Sequence, residues 1–135
     1  YSGVGSFGLE CLSRGSKKVF FFEKHAPTLN ILKKNIKILN CENRGEIIEN
    51  DVNKLNKFNQ LFNFQFNLVF LDPPFKDANL NEIIDIIFGM KILAENACVI
   101  IHRNKNIKEK FTDRLKEFRV EIYGKSKIIF SKISN

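Results

Sequence analysis

The chain has 135 residues, 44% of them hydrophobic, which is enough for one domain with a buried core. Its formal net charge of +7 and pI near 9.4 permit a polyanionic partner, although a lysine-rich surface alone carries such a charge equally well. No stretch approaches the roughly 18–20 apolar residues of a bilayer span, no signal peptide is visible, and Cys11, Cys41 and Cys98 form no C-x-x-C pair, which sets aside membrane-spanning, zinc-binding and disulfide-framework classes.

In chain order, Tyr1–Gly8 (YSGVGSFG) reads as a glycine-rich loop feeding a helix over Leu9–Arg14, with Gly15 as its stop. Tyr1 already falls inside that loop, so the strand expected to precede it is expected to be missing from this chain. Lys18–Glu23 reads as a buried strand ending in an acid. Ala26–Asn40 reads as an amphipathic helix, with Pro27 in its first turn and Leu29, Leu32, Ile36 and Leu39 on one face. Lys33, Lys34 and Lys37 lie on its other, solvated face. Glu46–Glu49 is a short strand followed by Asp51, and Val52–Phe62 a short helix.

Leu68–Leu71 is a continuous apolar run, the pattern of a central strand buried on both faces. It stops at Asp72 because Pro73 and Pro74 fix φ and offer no N–H to a ladder. A helix is expected over Leu80–Phe88 with Gly89 as its stop, and a strand over Ala97–His102. Lys105–Glu117 reads as helical or irregular. Arg119–Tyr123 and Lys127–Ile133 read as a hairpin around Gly124–Ser126. The alternation predicts a single α/β domain over 1–135. It would be a Rossmann-like, doubly wound sheet, mostly parallel, with an antiparallel C-terminal hairpin strand.

Three features carry chemistry. Gly3-Val4-Gly5-Ser6-Phe7-Gly8 matches G-x-G-x-x-G, whose glycines let backbone approach a ligand, and Glu23 ends the next strand, where a carboxylate can take two ribose hydroxyls. Together they point to an adenosine-type cofactor without saying which, because nicotinamide enzymes and methyltransferases share this layout. Asp51 is placed to face the adenine of the same cofactor or to cap the helix that follows.

Asp72-Pro73-Pro74-Phe75 is the most specific feature. An exocyclic base amine is a poor nucleophile because its lone pair is delocalised. The Asp72 carboxylate and the Pro73 carbonyl, accepting its two hydrogens, would draw the nitrogen toward a tetrahedral shape and aim the lone pair at an electrophilic methyl. Phe75 would stack on the extruded base. Lys76 and Asp77 follow on the same loop, with Lys76 read as solvated. Phe62, Phe64 and Phe66 are read as core packing before a stacking platform.

YSGVGSFGLECLSRG, VFFFEKHAPTLNILKKNI and NLVFLDPPF together resemble the RsmD family of bacterial S-adenosylmethionine-dependent methyltransferases, from Tyr1 to about Ile133. The resemblance implies a class I methyltransferase fold, S-adenosyl-L-methionine as cofactor, and methyl transfer to guanine N2 in 16S ribosomal RNA, as naked RNA or in an assembling 30S subunit. It implies that Ser2, Gly3, Gly5 and Gly8 line the methionine end of the cofactor, that Glu23 binds its ribose and that Asp51 lies near its adenine. Asp72, Pro73, Pro74 and Phe75 would form the catalytic corner. No metal is expected, and the protein is expected to be a cytoplasmic monomer with no membrane contact. The alternatives are an adenine-N6 methyltransferase, a nicotinamide-dependent oxidoreductase and a non-catalytic RNA-binding module. The chain departs from the family in lacking the acid of the preceding strand and in carrying His102-Arg103 where the family often has an acid. The sequence alone gives no physical reason for His102-Arg103.

Overall fold

A computed structural model describes residues 1–76, 79–108 and 110–134. Its contacts divide the chain into two units, Tyr1–Lys54 and Leu55–Asn135. In the first unit the glycine-rich loop enters α1 (Ser6–Ser13) through Gly5, whose left-handed φ of +90° places it at the N-cap. The helix begins three residues before the expected Leu9 because Gly5, rather than Gly8, is the residue that leaves helical geometry. Gly15, at φ +100°, is the expected stop.

β1 (Val19–Glu23) and β2 (Gly45–Glu49) pair in parallel with Glu23 opposite Glu49, so both end at one level. α2 (Ala26–Ile38) connects them and buries Leu29, Leu32 and Ile36, as the apolar spacing predicts. Leu12, Phe21, Leu32, Ile36 and Cys41 form the core of this unit, each large side chain contributing on the order of 1.5–3 kcal/mol by its burial. Leu39, expected inside, is 53% exposed because α2 ends at Ile38 and the chain turns through Asn40 at φ +50°.

Val52–Leu61 forms 3-10 turns with a non-helical break at Lys54, in place of the expected α-helix. Three asparagines in this stretch compete for backbone hydrogen bonds and favour turns over a regular helix.

The second unit carries a four-stranded sheet in the order β3-β4-β6-β5. Its strands are β3 (Phe66–Leu71), β4 (Leu93–Asn104), β5 (Leu115–Tyr123) and β6 (Ser126–Ile133), and α3 (Leu80–Gly89) links β3 to β4. β3 and β4 are parallel, and β6 runs antiparallel to both β4 and β5, so β6 is the one reversed strand. Gly124, at φ +58°, opens the two-residue hairpin loop between Tyr123 and Ser126.

Strand pairing is thus divided between two sheets rather than one. β3 is not central in its sheet but at its edge, with Leu68 38% exposed and Leu71 buried. α3 buries Leu80, Ile83, Ile84 and Ile87. Its left-handed stop is Lys91 at φ +55°, not Gly89, which is the helix's last residue. Residues 105–108 and 110–114 are irregular, and no described helix is long and apolar enough to cross a membrane.

Candidate active site

The first unit assembles the cofactor-type residues. Gly3 has φ +54° and open space where a Cβ would point, so ligand atoms can reach its backbone. Its N–H donates to Glu23 Oε2 at 2.8 Å, while the N–H groups of Lys24 and His25 both donate to Oε1 at 2.9 Å. Burial pushes the Glu23 carboxyl up. The N–H groups of His25, Gly3 and Lys24 outweigh it and hold the group below its ordinary value. Glu23 is therefore an ionised acceptor fixed against the loop. Ser2 braces the turn, its carbonyl accepting from Gly5 N–H at 3.0 Å and its own N–H donating to the Phe22 carbonyl at 2.9 Å.

Gly5 and Gly8 are required by packing. A Cβ on Gly5 would strike Leu32, and one on Gly8 would strike Phe21 and lie 2.9 Å from Val19 Cγ1. The motif thus divides its work, with Gly3 facing open space, Gly5 clearing Leu32 of α2 and Gly8 letting α1 sit close on β1.

Asp51, two residues past β2, accepts the Asn53 N–H at 3.0 Å, the expected cap, and pairs with Lys24 Nζ at 2.8 Å. The Lys24 ammonium first, then the Asn53 N–H, push its pKa down to about 2. Lys24 was not legible as a partner. The parallel register that ends β1 and β2 at one level is what brings it to Asp51.

The second unit carries the corner after β3. Asp72 is exposed, Pro73 is buried, and Phe75 is 41% exposed. Asp72 Oδ1 lies 2.7 Å from His102 Nδ1, and the His102 ring meets Phe75 edge-to-face with centroids 5.6 Å apart. Arg103, 2% exposed, donates from a terminal nitrogen to the Pro74 carbonyl at 3.1 Å. The residues that lacked an explanation in the sequence are therefore those that hold the corner. The signal lay in the register. NLVFL-D and CVII-H run in parallel with Leu71 opposite Ile101, which brings Asp72 and His102 to the same level.

Asp77 lies outside the described residues. Lys76 is exposed, as expected. Phe62, Phe64 and Phe66 contact one another edge-to-face at 5.2–6.2 Å. Phe62 is buried and Phe64 39% exposed, so the trio is mainly packing.

Residues 1–132 match the family described as "Conserved hypothetical protein 95". The chain belongs to this family, the RsmD family expected from its motifs. It is 35% identical over 108 residues to ribosomal RNA small subunit methyltransferase D of Haemophilus influenzae, covering 78% of this chain and 55% of that protein. The protein of the same name from Buchnera aphidicola (from Acyrthosiphon pisum) is 30% identical over 105 residues, covering 78% and 53%. The chain thus spans about half the length of these relatives. Among solved structures, a candidate methylase of Haemophilus influenzae aligns with a TM-score of 0.86 at 28% identity, covering 100% of this chain and 84% of that one. The fold is that of class I methyltransferases, and the expectation from the sequence holds.

Proposed function

We propose that the protein transfers a methyl group from S-adenosylmethionine to the exocyclic N2 amine of a guanine in small-subunit ribosomal RNA. The observation that carries the reading is the corner after β3, with an exposed carboxylate, a proline pair pinned by Arg103, and an exposed aromatic ring on one short loop. Membership of the RsmD family and the names of the relatives support the ribosomal substrate. When bound, the cofactor supplies a methyl group already activated by a sulfonium. The residues of the first unit fit such a group. Gly3 leaves its backbone open, Ser2 and Gly5 shape the turn, and Glu23 presents a fixed, ionised acceptor for ribose hydroxyls. Gly8 lets the loop's helix pack closely, and Asp51, tied to Lys24, would face the adenine.

Asp72 accepts one amine hydrogen and draws electron density onto the nitrogen. The Pro73 carbonyl is the second acceptor, on a buried residue whose direction the proline pair sets. Phe75 stacks on the base once it leaves its helix. As the nitrogen gains the methyl it sheds one proton, and Asp72 is the base placed to take it.

The test uses labelled S-adenosylmethionine and small ribosomal subunits from cells lacking this activity, followed by digestion and identification of the labelled nucleoside. N2-methylguanosine is expected. Methyladenosine would keep the amine chemistry and discard the guanine. Absence of label in a protein that binds the cofactor by calorimetry would discard methyl transfer to this RNA.

A further inference from the structure

We infer that His102 is a positioning residue for the reaction, holding both the Asp72 carboxylate and the Phe75 ring in their working places. The inference rests on the proposed function and deepens it. An ionised carboxylate only accepts hydrogen bonds, so the proton in the 2.7 Å contact sits on His102 Nδ1. That N–H selects one rotamer of an otherwise exposed side chain. The same imidazole presents its ring to Phe75 at 5.6 Å, so one β4 side chain supports the amine acceptor and the stacking face together. His102 can do this because β4 and β3 are in parallel register at Leu71 and Ile101, and Ile128 on β6 flanks it from the other side. An acid at this position would repel Asp72. A histidine donates to it. Arg103, next along β4, anchors the Pro74 carbonyl, so two successive residues fix the two ends of the corner.

The experiment compares His102→Ala, His102→Asn and His102→Phe in single-turnover methyl transfer, with donor binding measured by calorimetry and folding by circular dichroism. Asparagine keeps a donor at the position of Nδ1, whereas phenylalanine keeps the ring edge and loses the donor. His102→Ala and His102→Phe should slow transfer about tenfold to a hundredfold, the cost of misplacing a reacting group by about an ångström, with donor affinity within about twofold of the parent. His102→Asn should recover most of the rate. Asn equal to Phe, or Ala within about twofold of the parent, overturns the inference, and the Asn–Phe comparison stands even if the alanine variant fails to fold. Asp72→Asn combined with His102→Ala should lose clearly less than the product of the two single losses, because most of the effect of His102 passes through Asp72 and only its contact with Phe75 is left to lose. Additive losses overturn it. Nitrogen NMR of the free protein should show Nδ1 as the protonated ring nitrogen, and the other tautomer overturns the inference without reference to activity. Full activity of Asp72→Ala would instead overturn the reading of the corner itself, so the two failures are separable.

Discussion

Replacing Gly8 by alanine separates two effects of opposite sign. Gly8 is the third residue of α1, where alanine is favoured over glycine by about 1 kcal/mol from helix propensity alone. Against this, the added Cβ would strike Phe21 Cε1 and lie 2.8 Å from its Cζ and 2.9 Å from Val19 Cγ1. Phe21 is 2% exposed and sits in the core with Leu12 and Leu32, so its ring has nowhere to turn. Overpacking of this kind costs about 1–3 kcal/mol, and the net expectation is a loss of up to about 2 kcal/mol with a fall of several degrees in Tm. Gly89→Ala is the control. Gly89 ends α3, keeps an ordinary φ and has nothing within 4 Å of an added Cβ, so its stability should be unchanged or rise by up to about 1 kcal/mol. Urea titrations followed by circular dichroism give both numbers, the chain having no tryptophan. If Gly8→Ala proves as stable as the parent, the close approach of α1 to β1 is not what demands glycine there.

Asp51 has a depressed pKa of about 2 against an ordinary 3.8, so it contributes stability that is present above about pH 4 and lost as pH falls toward the folded value. Its Lys24 partner is largely exposed, which limits the effect to under about 1 kcal/mol, and Asp51→Asn should flatten the urea midpoint over that acid window. Glu23→Gln should weaken S-adenosylhomocysteine binding by about tenfold to a hundredfold in calorimetry, since a charge-assisted acceptor becomes a neutral amide; affinity within about twofold would remove Glu23 from the cofactor site. Arg103→Met should lower stability by about 1–3 kcal/mol in thermal unfolding, because the Pro74 carbonyl loses its buried donor.

Much of the fold was legible because strong local signals agreed with it. Pro27 and the apolar spacing of α2, the left-handed glycines at Gly15 and Gly124, and the β-branched and aromatic runs of β1 and β6 each act over a few residues. Errors arose where tertiary context decides. The apolar run over Leu68–Leu71 was expected inside, and Leu68 is 38% exposed in a strand with one neighbour in its sheet, because an apolar run does not report what packs on it. The stop of α3 moved from Gly89 to Lys91 because a non-glycine residue tolerates left-handed φ when the chain beyond it is fixed. At the site, Gly3, Glu23 and Asp72 could be named from motifs, whereas Lys24, His102 and Arg103 could not. Their roles depend on register between strands distant in sequence.

The three carboxylates differ in a way that suits separate tasks. Glu23 accepts three backbone N–H groups, a set that side-chain motion cannot dissolve, and so stays ionised and still. Asp51 is held by one flexible ammonium and by the start of the 3-10 segment, and it couples the ends of β1 and β2. Asp72 has a side chain 42% exposed and pairs with the imidazole of His102. A group meant to recognise fixed ribose hydroxyls gains from full backbone anchoring, because every degree of freedom removed before binding is one that binding does not have to freeze. A group meant to engage an amine and then take its proton needs open lone pairs, and one neighbour that orients it without neutralising it. Among the described side chains, the His102 imidazole beside Asp72 is the neighbour that orients it while leaving it exposed. A lysine or arginine in that place would hold the carboxylate more tightly and lower its capacity to accept the proton. The His102-Arg103 pair therefore reads as a division of labour, in which Arg103 holds the Pro74 carbonyl and His102 holds the carboxylate proposed to react.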